Sequence, residues 1–205
     1  YGVQVGALTV LALNSETAQP WVASTDWDAP NGAQYSWLSQ RLAQLTSPWT
    51  FATWHISPFD VGVRHADQND STRSVLPLLD KKVDWVFSGH EHLYQRLKPL
   101  RYTGMSGGKP RADVAPSYGR GAADGVGYLL APPAGHYPAE DEILPTGNPL
   151  RNMLASPGPS ELSGDKLTAS WVGFSVVTLV GKTFKLETFE LGKSQPRDSV
   201  TYSKP

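Results

Sequence analysis

The chain has 205 residues, 40% hydrophobic and 18% charged, which permits one domain with a sizeable core. Seven Trp, eight Tyr and six Phe argue against disorder, and a formal net charge of -1 without a long basic run leaves no footprint for nucleic acid, whose backbone needs clustered Lys and Arg. Zero cysteines exclude disulfides and thiolate metal sites but fix no compartment.

No apolar run approaches the roughly 20 residues that span a bilayer. The first residue is Tyr1, which implies a processed or engineered start and leaves a signal peptide unreadable. The run Leu8-Thr9-Val10-Leu11-Ala12-Leu13 reads as a strand closed by Asn14-Ser15-Glu16. A loop rich in Trp, Asp, Pro and Gly follows over residues 20–32. The spacing of Tyr35, Leu38, Leu42 and Leu45 predicts a helix over residues 33–45, with Asn31 as its cap and Pro48 marking its end. Residues 50–54 read as a strand that delivers His55. Residues 71–82 read as helical, kinked or begun at Pro77.

Val83-Asp84-Trp85-Val86-Phe87 is a buried-strand pattern that Ser88-Gly89 ends, and His90-Glu91-His92 sits where strand gives way to loop. Alternate residues of an extended segment point the same way, so His90 and His92 can face one centre while Glu91 faces elsewhere. Strand-helix alternation implies parallel pairing, and such sheets carry ligands at the carboxyl ends of their strands.

The second half reads differently. Residues 98–127 and 132–163, full of Gly and Pro, read as long loops in a single domain over residues 1–205. Gly127-Tyr128-Leu129-Leu130 reads as a short strand, and one helical turn is expected near residues 150–154. Residues 171–180 and 183–189, separated by Gly181-Lys182, read as a hairpin with a type II′ turn.

Four segments in order carry a resemblance: Leu13-Asn14-Ser15-Glu16, then Gln34-Tyr35-Ser36-Trp37-Leu38 with Leu42, then Trp54-His55-Ile56-Ser57-Pro58-Phe59, then Gly89-His90-Glu91-His92 with Tyr94 and Arg96. Together they resemble the calcineurin-like metallophosphoesterases, the superfamily that includes the purple acid phosphatases. The resemblance implies an α/β fold in which two sheets form a sandwich flanked by helices. It implies hydrolysis of phosphate mono- or diesters by two divalent or mixed-valence metal ions (Fe, Zn or Mn). His55 and His90 would bind one metal and His92 the other. It slightly favours a secreted or periplasmic location.

Family members carry three earlier motifs, Asp-x-His, Gly-Asp-x-x-Asp or Tyr, and Gly-Asn-His-Asp or Glu, which supply a bridging carboxylate, further ligands and a catalytic His. None occurs here. Asp165 follows Gly164 and Asn148 follows Gly147 without the rest of either motif, and both lie after His92. Tyr1-Gly2-Val3-Gln4-Val5-Gly6 resembles the stretch after the third motif. The chain therefore reads as the C-terminal half of such an enzyme, its N-terminal half missing, with the ligands for two metals to come from that half or another chain.

The plainer readings stand beside these. A strand-end His pair can bond backbone carbonyls, and His55 can simply close a strand. His65 sits about where some relatives place a substrate-contacting His, or is a solvated loop residue. Tyr94 and Arg96 orient a substrate phosphate or, more commonly for such neighbours, brace the histidine loop. His136 matches no motif and reads as surface loop, and the Lys81-Lys82 charges read as a solvated face. Two functional alternatives also remain: a non-catalytic binding or assembly module, and a mononuclear zinc hydrolase with His55, His90 and His92 as an open three-His site.

Overall fold

A computed structural model of the protein describes residues 1–18, 26–63, 70–135, 144–145, 147–156 and 171–205. In chain order it contains β1 (Gly2–Val5), β2 (Leu8–Ala12), a 3-10 turn (Ser15–Ala18), α1 (Ala33–Gln44), β3 (Trp49–Ile56), α2 (Asp70–Arg73), α3 (Leu76–Leu79), β4 (Trp85–Gly89), β5 (Gln95–Leu97), β6 (Leu100–Ser106), β7 (Lys109–Val114), β8 (Gly127–Leu130), α4 (Pro149–Asn152), β9 (Leu154–Ser156), β10 (Gly173–Val180), β11 (Thr183–Glu190) and β12 (Asp198–Ser203).

The strands β1-β2-β3-β4-β8-β5-β9, in that order, form a seven-stranded sheet. Its centre, β2, β3, β4 and β8, is parallel, and β1, β5 and β9 join antiparallel. A central parallel strand is covered on both faces, and its side chains alternate between two cores. Leu11, Ala52, Trp54, Val86 and Tyr128 pack toward Leu38 and Leu42 of α1 and Leu76 and Leu79 of α3. Trp49, Phe51, Trp85 and Leu129 pack the other way, against Phe184 and Leu186 of a second sheet, β10-β11-β12. Trp85 and Phe184 stack with centroids 4.9 Å apart and planes 6° from parallel. The expected α/β, two-sheet arrangement with flanking helices is the one observed.

Local expectations fare unevenly. Leu38 and Leu42 are the buried face of α1, but its N-cap is Gly32 rather than Asn31, without a side-chain cap. The carbonyl oxygen of Asp26 instead accepts from the Gln34 and Tyr35 amides at 3.0 and 3.1 Å. Pro77 falls in the first turn of α3, so the 71–82 stretch is two short helices. At Gly181 φ is 57°, and Lys182 is not among the residues with positive φ, the pattern expected of a type II′ turn.

Residues 98–127 are not one long loop. They hold the β6–β7 hairpin, closed by Gly107-Gly108 with φ of 59° and 77°, the signature of a type I′ turn. Of its strand side chains Leu100 and Ala112 are the buried ones, so the apolar pattern is too sparse to announce two strands. Within residues 132–163 the described part contains α4 and β9, and β9 pairs with β5. The Asn148 side chain accepts from the Leu150 amide at 2.9 Å, so it is a helix cap. Asp165 and His136 lie outside the described residues.

Buried phenols add a pH dependence. Burial raises the Tyr94, Tyr118, Tyr128 and Tyr202 hydroxyls above the ordinary tyrosine range, reinforced by Asp198 at Tyr94, Asp80 at Tyr128 and Asp84 at Tyr202. The folded protein then keeps protons that the unfolded chain releases above about pH 10, so this stability is complete below that pH and lost as pH rises further. Lys204, lowered by burial, works in the opposite direction just below the usual lysine range. The urea midpoint should hold to roughly pH 9–10 and fall beyond it. A midpoint unchanged at higher pH would contradict the burial of these phenols.

Candidate metal centre

Thr53 and His55 follow Phe51 at steps of two along β3, on the face turned toward the second sheet. His55 is exposed at the carboxyl end of that strand. On the neighbouring strand, β4 ends at Gly89 and the chain turns through His90 with φ of 78°, a left-handed conformation a residue with a Cβ seldom adopts. That turn brings His90 Nδ1 to 3.3 Å from His55 Nε2, with the ring planes 86° apart. Strain held at such a point is a mark of a functional site. A Cβ at Gly89 would lie 3.4 Å from His55 Nδ1, so the imidazole packs directly over the strand end.

The surrounding motif residues are braces. Gln34 grips the backbone of Asn14, accepting from its amide and donating to its carbonyl, both at 2.7 Å. Ser15 Oγ accepts from the Ile56 amide at 2.9 Å, which ties the turn after β2 to the residue following His55. Beyond it, Ser57 Oγ and Gln95 Nε2 both donate to the Phe59 carbonyl, at 2.7 and 2.6 Å, and Arg73 Nε donates to the Pro58 carbonyl at 2.6 Å. Ser57 thus holds the loop by a hydrogen bond. Gln34 and Ser15 lie in motifs that the sequence singles out; nothing in the sequence marks Gln95.

Two imidazole nitrogens 3.3 Å apart suit a hydrogen bond in one tautomer. They equally suit two ligands of one tetrahedral ion, since Zn–N bonds of about 2.0–2.1 Å put ligand atoms about 3.3 Å apart. The donor set therefore fits a borderline metal, with the other positions supplied elsewhere. Glu91, buried between the two histidines in sequence, sits against Gly62: a Cβ there would be 2.6 Å from its Oε1. A shallow cleft of about 410 Å³ opens beside the pair, lined by Ala12, Thr53, His55, Phe87, Gly89 and Ala131 among others.

The structure brings together His55 and His90. His92 is half-buried two residues on, and no group of three or more His, Asp or Glu among the described residues is placed to hold a metal ion. An open zinc site built from these three histidines is therefore not formed. His65 lies outside the described residues. Tyr94 and Arg96 both reach Asp198. Tyr94 Oη donates to Asp198 Oδ2 at 2.6 Å, and Arg96 grips both oxygens of Asp198 at 2.6 and 2.9 Å. Burial pulls the Arg96 guanidinium toward losing its proton, and the hydrogen bond and charge of Asp198 help outweigh that pull. Residues 94 and 96 point off β5 toward the second sheet, where Asp198 opens β12. They brace the two sheets, a tie different from the expected bracing of the histidine loop.

Residues 10–94 match the calcineurin-like phosphoesterase family model, as the four motifs indicate. The chain is 35% identical over 79 residues to purple acid phosphatase 22 of Arabidopsis thaliana, a match covering 36% of this chain and 18% of that protein. It superposes on the purple acid phosphatase PPD1 of yellow lupin, Lupinus luteus, with a TM-score of 0.65 at 17% identity, over 99% of this chain and 32% of that one. A second solved structure, GAP50, described as the anchor in the inner membrane complex of Plasmodium, matches with a TM-score of 0.53 at 11% identity, over 99% and 52%. At these identities the structural likeness speaks for the fold. The chain spans about a fifth of the curated relative and a third of the lupin protein.

Proposed function

We propose that this chain supplies part of the active site of a metal-dependent phosphatase that hydrolyses phosphate mono- or diesters. His55 and His90 hold one ion and His92 contributes to a second. The bridging carboxylate, the remaining ligands and the catalytic His come from residues outside this chain. The observation that carries the reading is the His55–His90 pair at the carboxyl ends of adjacent parallel strands, within a segment that matches the calcineurin-like phosphoesterases. Ions bound there would polarise the phosphoryl oxygens and supply a hydroxide nucleophile near neutral pH.

The chain's own part is positional. Neutral imidazoles present lone pairs suited to Fe, Zn or Mn. Ser15, Gln34 and the tight turn at His90 fix the rings before a ligand arrives, which removes an ordering cost from binding. The cleft beside His55 leaves room for a phosphate ester. Relatives among the purple acid phosphatases favour a secreted or periplasmic setting, and no helix among the described residues is long and apolar enough to cross a membrane.

The test is turnover of a chromogenic phosphate ester with added Mn, Zn or Fe. The chain alone should give little or none, and a polypeptide carrying the three absent motifs should restore it. Robust metal-dependent hydrolysis by the purified chain, lost in His90→Ala, would refute the shared-site reading. The GAP50 likeness keeps a non-catalytic assembly role in view. That role predicts no turnover even after complementation.

A further inference from the structure

The β6–β7 hairpin packs on α2 and α3, on the face of the large sheet turned to the helices and away from the second sheet. Beside it lies a cavity of about 340 Å³, within the roughly 300–1,000 Å³ that small-molecule sites occupy. Phe59, Leu150 and Met153 give it an apolar wall, and Phe59 and Leu150 belong to the helix-side core. Arg73 lines the same wall and is 6% exposed. Its Nε donates to the Pro58 carbonyl at 2.6 Å, and its guanidinium carbon lies 5.2 Å from the centroid of the Phe59 ring. A positive charge is thus fixed in an otherwise apolar wall.

The mouth is charged as well. Across the hairpin Ser106 pairs with Lys109 and Gly104 with Arg111, and residues two apart on a strand share a side. Ser106, Arg111 and Asp113 therefore stand on one face of the hairpin, and all three line the cavity. Arg111 and Asp113 are exposed, and the side chain of neither takes a hydrogen-bond or ion-pair partner among the described residues. β6 carries an extra residue, Thr103, opposite the step from Arg111 to Ala112. Such bulges are over-represented beside functional sites, where they re-aim a side chain. A guanidinium at the mouth of an apolar cavity suits a carboxylate, which its planar fork can meet with two hydrogen bonds. Asp113, on the same face, repels a second negative charge. The combination selects a monoanion over a dianion such as hydrogen phosphate.

We infer that this cavity is a binding site for a small organic monocarboxylate with an apolar, ring-sized body. The carboxylate docks on Arg111, the body fills the space against Phe59, Leu150 and Met153, and the Arg73 charge adds attraction from within the wall. The cavity shares no lining residue with the cleft beside His55. The inference is therefore independent of the phosphatase reading.

The probe is phenylacetate titrated into the metal-free chain and followed by calorimetry, with phenylethanol and inorganic phosphate as comparisons. Phenylacetate should bind at least about tenfold more tightly than either, as expected for a hydrogen bond to a charged group. Arg111→Gln, at an exposed position that leaves the fold intact, should remove the preference over the alcohol. Asp113→Asn should tighten phenylacetate several-fold and admit phosphate, because the repelling charge is gone. In methyl NMR spectra of the unaltered chain the ligand should shift Leu150 and Met153 and leave Ala12 and Ala131, in the cleft beside His55, where they are. No saturable binding, equal binding of the alcohol, or a preference that survives Arg111→Gln overturns the site. Shifts at Ala12 and Ala131 in place of Leu150 and Met153 put the ligand beside His55 and overturn it too.

Discussion

His90→Ala, in the chain complemented by a polypeptide bearing the absent motifs, should lower metal-dependent hydrolysis by more than the 10–100-fold that loss of an outer-shell partner typically costs. His90 and His55 present nitrogens 3.3 Å apart, and deleting either leaves one imidazole where two are needed. Gln34→Ala provides the comparison, since Gln34 holds the Asn14 backbone; its loss should fall within that 10–100-fold band. The ligand effect also has a readout free of turnover: His90→Ala should abolish the Co(II) absorption that the histidine site develops on titration. Equal losses for the two variants would mean that His90 acts only as a brace.

Asp198→Ala should destabilise the fold by about 3–5 kcal/mol, the cost of stranding a buried charge by removing its partner. Arg96 is 11% and Asp198 9% exposed at the side chain, so solvent cannot take over the guanidinium, and Tyr94 loses its acceptor in the same step. Urea unfolding of the isolated chain measures the difference without any question of activity. Replacing Arg96 and Asp198 together by apolar residues should cost far less, because the charge and its desolvation penalty leave together. A loss below about 1 kcal/mol, the range of exposed ion pairs, would show the bridge to be a surface contact. In the complemented enzyme the double replacement should leave KM for the phosphate ester unchanged, since neither residue faces the cleft.

Features that depend on neighbours along the chain are legible in the residues themselves. Apolar runs of four to eight residues define β2, β3, β4 and β8 because a buried parallel strand needs apolar side chains on both faces. The Gly181-Lys182 turn is legible because a positive φ at the first position calls for glycine. The histidines stand out because Gly-His-x-His follows such a strand. What distant residues do for one another depends on how the strands are assembled. Tyr94 and Arg96 serve Asp198, 104 and 102 positions away, and no local pattern announces a partner at that separation. The β6–β7 hairpin is held by sparse burial and a Gly-Gly turn, so composition reads it as loop. His55 and His90 meet across 35 residues because the sheet sets their strands side by side.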